Sequence, residues 1–243
     1  MGRLQDRIAV ITGASTGIGK SIAVAYATEG AKIVLASRNK DKLEIVAKEI
    51  EDAGGSALVA PLDVTDEGAV IDLFRQAVEA FDRVDILVNN AGVSKGAPTD
   101  ELSLEVWQQV IDVNLTAAFL CSREAIKSMK ARGSGRIINI GSVSAKVPRI
   151  HSAAYTTSKF GLEGLTRSLA LDMREFGIAV SVLHPGNTAT PIWTGREEIA
   201  RREGVMSPDD LAQVAVAIAT LPPEVNMLES IVLPLSMPFV GRG

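Results

Sequence analysis

Thr12-Gly13-Ala14-Ser15-Thr16-Gly17-Ile18-Gly19 is the stretch on which the fold turns. It leaves a short apolar run, Arg7 to Thr12, and enters a segment of helical character, Ile18 to Thr28, that stops at Gly30. Strand, glycine turn and helix in that order form the context in which such an octet reads as a phosphate-binding loop. Glycines allow a tight turn and let backbone approach a pyrophosphate closely. A helix N-terminus adds unpaired N–H groups and positive potential for the anion. Out of context the same glycines would be no more than turn formers.

Away from this loop, strand-like and helix-like segments keep alternating. Lys32 to Ala36 reads as a second strand, Lys40 to Ala53 as a second helix stopped by Gly54-Gly55, and Ser56 to Ala60 as a third strand. Asp66 to Phe81 places Val70, Leu73, Phe74, Ala77, Val78 and Phe81 on one helical face. Val84 to Val88, Arg136 to Gly141, Ile178 to Leu183 and Leu228 to Leu233 complete seven strands. Leu102 to Ala131 and Ser152 to Phe176 read as two long helices, the first bent. Ser207-Pro208-Asp209-Asp210 opens a further helix with an N-cap, a first-turn proline and two acids suited to the dipole. Short strands separated by helices imply βαβ units. The expected fold is therefore α/β: a doubly wound Rossmann fold with a seven-stranded parallel sheet flanked by helices on both faces. Such sheets bind ligands beyond the carboxyl ends of their strands.

The 243 residues suit one dinucleotide-binding and catalytic domain over 1–243, and 47% hydrophobic with 22% charged residues is enough to bury a large core. A net charge of -4 without a basic stripe argues against nucleic acid as a partner. The one cysteine, Cys121, excludes an intrachain disulfide and fits a reducing cytosol. It follows the apolar run Ala117 to Leu120, so a buried inert thiol is expected rather than a reactive one. Ile8 to Ile11 is too short for a secretory segment, and Asp6 stands where a myristoylation signal needs Ser or Thr. No stretch approaches the roughly 20 apolar residues that cross a bilayer. A cytoplasmic protein with no membrane partner is expected.

The end of the second strand, Leu35-Ala36-Ser37-Arg38, bears on cofactor choice. An NAD site wants an acid about 20 residues past the glycine loop, to bond the ribose 2′-hydroxyl, whereas an NADP site wants arginine. No acid is present there; Asp41 belongs to the next helix, and Arg38 can stack on adenine and pair with a 2′-phosphate while Ser37 adds a hydroxyl. The alternative for Arg38 is a solvated loop arginine. Lys20 reads as helix surface.

Tyr155 and Lys159 stand at i and i+4, hence on one helical face. In isolation such a pair is usually a solvated face. Here it opens a helix shortly after Ser142, on the loop that leaves the fifth strand. Hydride transfer to a carbonyl builds charge on oxygen, so the site needs a proton donor and hydrogen bonds aimed at that oxygen. Free tyrosine titrates near 10, and proton transfer near neutrality asks for a value about two to three lower, roughly 3–4 kcal/mol. A neighbouring ammonium and a positive nicotinamide ring both act in that direction.

The glycine spacing of the octet, three residues and then one, differs from the GxGxxG fingerprint. It resembles the TGxxxGxG motif of the short-chain dehydrogenase/reductase family, and the resemblance extends over nearly the whole chain. Asn89-Asn90-Ala91-Gly92 is similar to that family's NNAG. Asn114, Ser142, Tyr155 and Lys159 fall in the order and spacing of its catalytic tetrad, and Pro185-Gly186 is similar to its PG motif. The resemblance implies an NADP(H)-dependent oxidoreductase acting on a small carbonyl or alcohol, with no metal. In that picture Tyr155 donates or accepts the proton and Ser142 orients the substrate oxygen. Lys159 holds the nicotinamide ribose hydroxyls and lowers the pKa of Tyr155, and Asn114 interrupts its helix and positions a water. Gly13, Ser15, Thr16, Gly17, Ile18 and Gly19 would cradle the pyrophosphate, with Ser37 and Arg38 at the 2′-phosphate. Asp63 and Val64 would lie beside adenine. Asn90, Ala91 and Gly92 would border the adenosine ribose and central sheet, and Pro185, Gly186 and Thr188 would hold the carboxamide.

Two departures stand out. Thr188 occupies a position where Val or Ile is usual. Leu228-Glu229-Ser230-Ile231-Val232-Leu233-Pro234 lacks the VDGG-like ending of many members. The second makes a 3-oxoacyl-carrier-protein reductase the alternative and favours the branch of broad carbonyl and 3-hydroxy-acid reductases. A 3-hydroxy-acid dehydrogenase differs only in direction. A non-catalytic NADP sensor would belong to another class, but such proteins lose the tyrosine or lysine kept here. Val93 to Pro98, Ser144 to Ala153 and Asn187 to Val205 should border the substrate, the last as a lid carrying Trp193, Arg196, Arg201 and Arg202. A basic lid would receive an anion, and a solvated amphipathic helix is the plainer reading. His151 is open between pocket and loop, and His184 reads as structural. The family also pairs its two long helices across two-fold axes, which implies a homotetramer.

Overall fold

Apolar runs that adjoin glycine turns become parallel strands in the computed structural model, which describes residues 2–190, 198 and 202–238. Among these residues the strands are β1 (Ile8–Thr12), β2 (Lys32–Ser37), β3 (Ser56–Pro61), β4 (Ile86–Asn89), β5 (Gly135–Ile140), β6 (Ile178–Pro185) and β7 (Glu229–Val232). They form one seven-stranded sheet in the order β3-β2-β1-β4-β5-β6-β7, and every neighbouring pair is parallel. The winding reverses between β1 and β4, the crevice where doubly wound sheets bind ligands.

Every residue of β1 is buried, as expected of a strand covered on both faces. Ala9 and Ile11 join a core with Ile22 and Tyr26 of α1 (Gly17–Thr28), Leu43 of α2 (Lys40–Asp52) and Leu211 of the C-terminal helix. Val10, between them, joins a second core with Leu73 of α3 (Glu67–Phe81) and with Cys121 and Met129. Alternation of period two thus feeds both layers. Cys121 is buried, and burial pushes its thiol up to about 12, as an inert thiol requires. No helix among the described residues is long and apolar enough to cross a membrane.

Three sequence boundaries shift. The span Leu102 to Ala131 is not one helix. It comprises α4 (Leu104–Ile111), a π-helical turn at Asp112–Thr116 and α5 (Ala117–Lys130). Asn114 sits at the centre of the π turn, where it was expected to interrupt the helix. The helix expected to reach Phe176 ends earlier: α6 covers Ala153–Asp172, then a tight turn at Arg174–Phe176 closes on Gly177 with φ 65°. β4 starts at Ile86 rather than Val84; Asp85, just before it, still bonds both neighbouring strands through its backbone, and its Oδ2 also accepts from the Ile8 N–H at 2.9 Å. Val78 is 38% exposed and lies off the buried face of α3 to which the periodicity assigned it. The last helix, α7 (Pro208–Ala219), carries the expected cap: Ser207 and Asp210 form a reciprocal capping box.

Candidate active site

Beyond the carboxyl ends of the strands lies a cleft of about 1140 Å³. All the expected site residues line it except Gly19 and Asn114, which stand just behind its wall.

The glycine loop is shaped by its neighbours. Gly13 and Gly17 take φ of 64° and 56°, the left-handed region that favours glycine. A side chain at Gly19 would strike the Gly13 carbonyl and the Asn90 amide. Thr12 is the hub: its Oγ1 accepts from the N–H groups of Asn90 and Ala91, each at 3.0 Å. In return Asn90 Nδ2 donates to Thr12 O at 3.0 Å and Gly13 O at 3.1 Å. The segment after β4 is thereby stapled to the loop after β1. Sequence reading missed Thr12, although a hydroxyl at the end of an apolar strand was a visible signal.

Among the described residues four α-helices have side-chain N-caps, from Asn39 on α2, Asp66 on α3, Ser103 on α4 and Ser207 on α7. Thr16 on α1 makes no such bond, and the first turn of α1 contains no acid. Its N–H groups and dipole therefore face the cleft without a side-chain anion of their own. Ser37 and Arg38 lie on the cleft wall, and the buried Ser37 Oγ has no hydrogen-bond partner among the described residues. Asp63 Oδ1 accepts from Thr65 N at 3.0 Å and Thr65 Oγ1 at 2.8 Å. These bonds, with help from the Arg38 charge, hold its carboxyl below the usual range, so it stays an acceptor. A loop with open N–H groups, an unsatisfied hydroxyl, an arginine and an ionised acceptor together fit a phosphorylated adenosine.

At the other end, Tyr155 and Lys159 of α6 share the wall with Ser142. The Lys159 ammonium is 5.7 Å from the centre of the Tyr155 ring and donates to Ile140 O at 2.9 Å. Burial pulls its pKa down to about 8. It thus remains a cation at neutral pH. Asn114 Oδ1 accepts from Val93 N at 2.8 Å, and its Nδ2 donates to Val93 O and Ser158 Oγ, both at 3.0 Å. Asn114 so ties the π turn to the loop after β4 and to α6. Ser142 Oγ accepts from Ser144 N at 3.1 Å, which leaves the hydroxyl proton to be directed elsewhere. Gly92 adjoins this grouping: a Cβ there would be in ordinary contact with Asn114 Oδ1 at 3.4 Å and Lys159 Nζ at 3.9 Å.

Thr188 satisfies its hydroxyl locally, on Gly186 O at 3.1 Å. His151 lies on the cleft wall, whereas His184 is buried. Arg149 was not foreseen: its Nη2 donates to Asn187 Oδ1 at 2.8 Å and to the buried Glu203 Oε2 at 3.0 Å. This joins two segments expected to border the substrate, through partners 54 residues apart that no local pattern could pair. Arg202 pairs with Glu203 at 3.3 Å. Trp193, Arg196 and Arg201 lie outside the described residues.

The family model described as short chain dehydrogenase matches residues 7–200. A 3beta-hydroxysteroid dehydrogenase of Mediterraneibacter gnavus is 38% identical over 79% of this chain and 70% of its own length. A cis-4-hydroxycyclohexanecarboxylate dehydrogenase of Sinomonas cyclohexanicum is 37% identical, with 89% of each chain covered. Among solved structures, a metagenomic short-chain oxidoreductase in complex with NADP superposes with a TM-score of 0.86 at 36% identity, covering 96% of this chain and 99% of that one.

Proposed function

This chain belongs to the short-chain dehydrogenase family, and from that premise we propose that it is an NADP(H)-dependent oxidoreductase interconverting a carbonyl and a secondary alcohol, with Tyr155 as the proton-transfer residue. The observation that carries this reading is the buried Lys159 ammonium beside the Tyr155 ring, in one cleft with Ser142 and the glycine loop. Both dehydrogenases named above act, by their names, on ring hydroxyls, and the solved relative holds NADP.

The residues then divide the work as follows. NADP(H), when bound, supplies or takes up the hydride. Gly13, Ser15, Thr16, Gly17, Ile18 and Gly19 present backbone N–H groups and the α1 dipole to the pyrophosphate. Asp63 and Val64 border the adenine, Asn90, Ala91 and Gly92 the adenosine ribose, and Pro185, Gly186 and Thr188 the carboxamide. Ser142 donates to the substrate oxygen, its own lone pair being held by Ser144 N. In reduction the Tyr155 hydroxyl gives its proton to that oxygen as charge builds there; in oxidation the phenolate takes it back. Lys159 favours the phenolate by its charge and reaches toward the nicotinamide ribose. Asn114 holds the π turn against Val93 and Ser158 and so fixes the floor beneath Lys159.

Cofactor preference is assigned to Ser37 and Arg38. Initial rates with NADPH and NADH, over a panel of aliphatic ketones, cyclic ketones, 3-oxo esters and oxo acids, test it. Wild type should prefer NADPH. Arg38→Asp, which removes the cation and adds a repelling carboxylate, should lower kcat/KM for NADPH by at least about 10-fold, the worth of one charge-assisted hydrogen bond, and shift preference toward NADH. A wild-type preference for NADH would overturn the assignment.

The chain is further proposed to act as one unit over 1–243 and to assemble as a homotetramer. Leu104 on α4, Phe119 on α5, and Phe160 and Leu171 on α6 are exposed apolar side chains on the two long helical spans, and pairing across two-fold axes would cover them. Light scattering at micromolar concentration should report four chains, and a clean monomer would refute this assembly.

A further inference from the structure

His184 on β6 is fully buried and does not line the cleft, yet it meets the backbone of Ser142 twice. Its Nδ1 lies 3.2 Å from Ser142 N and 2.9 Å from Ser142 O. One imidazole nitrogen serves one of these at a time: unprotonated, it accepts from the N–H; protonated, it donates to the carbonyl. Gly141 completes the fit, since a Cβ there would come within 2.5 Å of Nδ1.

The far side of the ring faces a cluster of partly exposed charges. His184 Nε2 has no hydrogen-bond partner among the described residues and stands 3.7 Å from Glu163 Oε2 and 3.8 Å from Glu229 Oε1. Those two carboxylates are already occupied. Lys146 Nζ lies 2.7 Å from Glu163 and 2.5 Å from Glu229, and Arg167 Nη2 lies 2.8 Å and 2.7 Å from the same pair. Glu163, His184 and Glu229 are close enough together to suggest a cation site. The Lys146 ammonium, however, already bridges both carboxylates, so two cations balance two anions without a metal. Burial keeps the His184 pKa below that of ordinary histidine, and the neutral ring is the form that can accept from Ser142 N.

We propose that His184 is a positioning residue for Ser142: braced by the Lys146–Glu163–Arg167–Glu229 cluster, its ring fixes the Ser142 backbone and thereby the direction of the Ser142 hydroxyl toward the substrate oxygen. The inference rests on the reading of Ser142 given above. It links α6, β6, β7 and the turn after β5 in one brace behind the reacting centre.

The test is a double-mutant cycle. His184→Asn, His184→Gln and His184→Leu are each made in the wild-type and Ser142→Ala backgrounds. kcat is then measured with NADPH and the best carbonyl of the panel, and Tm alongside. An Asn amide falls near the place of Nδ1, a Gln amide near that of Nε2. His184→Asn should retain kcat within about threefold, while His184→Gln and His184→Leu lose about tenfold or more, with KM for NADPH unchanged. In the Ser142→Ala background those losses should shrink to under about twofold, the signature of residues acting as one unit. Equal losses in both backgrounds, or an Asn variant no better than Leu, would overturn the proposal. Should His184→Leu fail to fold, the Asn and Gln pair decides the matter by the same comparison. If Ser142→Ala turned over like wild type, or if no carbonyl were reduced, the reading of the site itself would fall. An impaired Ser142→Ala with additive His184 effects sinks this inference alone.

Discussion

Tyr155→Phe is expected to turn over at least about 10²- to 10⁴-fold more slowly than wild type, the range typical of a lost general acid, while NADPH binding changes little. The substitution keeps the ring, its place near the first turn of α6 and its contact with the Lys159 ammonium, and deletes the hydroxyl alone. Ser142 would still donate to the substrate oxygen, but no proton would follow the hydride. A Phe variant with weakened NADPH binding and an equal loss in kcat/KM would point to a cofactor-positioning role instead. Titration of NADPH fluorescence alongside turnover separates the two.

Lys159→Met should lose activity and gain a different stability profile. The wild-type ammonium is buried, and its pKa falls from the ordinary 10.5 to about 8. The unfolded chain therefore binds more protons than the folded one between these values, so stability rises with pH through that window. Below pH 8 the folded protein carries the full penalty, on the order of 3 kcal/mol. Methionine removes it but orphans the Ile140 carbonyl that Lys159 bonds, at a cost of about 1–3 kcal/mol. The apo variant should thus be about as stable as wild type at pH 7 and fall behind it as pH climbs from 8 toward 10.5. Urea denaturation of both proteins across that range gives the difference curve. A flat difference would show that the ammonium is not destabilised by burial. Turnover should drop by at least about 10²-fold, and KM for NADPH should rise, because one ammonium serves both the phenol and the ribose.

What the sequence revealed follows from how far each signal reaches along the chain. The loop from Thr12 to Gly19 was legible because strand, turn and helix are consecutive, and the structure folds them as read. The seven parallel strands followed from apolar runs of the right length, and the Ser207 cap from four adjacent residues. The break at Asn114 was expected on resemblance, and the chain does form a π turn there. The apolar pattern of Leu102 to Ala131 did not itself place the π turn between α4 and α5. The bond of Asp85 to Ile8 N could not be read locally either, since it joins residues 77 apart. Thr12, Arg149 and His184 were missed or read as merely structural for the same reason. Their meaning lies in partners on other strands and loops, Asn90, Glu203 and Ser142, that only the closed sheet brings together. Helical spacing put Val78 on the buried face of α3, but it lies outside the buried set Val70, Leu73, Phe74 and Ala77 and is 38% exposed.

The measurement that bears most directly on proton transfer by Tyr155 is the pH dependence of alcohol oxidation, at saturating NADP, in wild type and in Tyr155→Phe. Lys159 sits beside the phenol, its ammonium 5.7 Å from the ring centre, where its charge favours the phenolate. Wild-type turnover should rise with pH along a limb whose apparent pKa lies below the value of about 10 for free tyrosine, and in the variant that limb should be absent from whatever slow turnover remains. A Tyr155→Phe enzyme with near-wild-type turnover and the same limb would contradict the account.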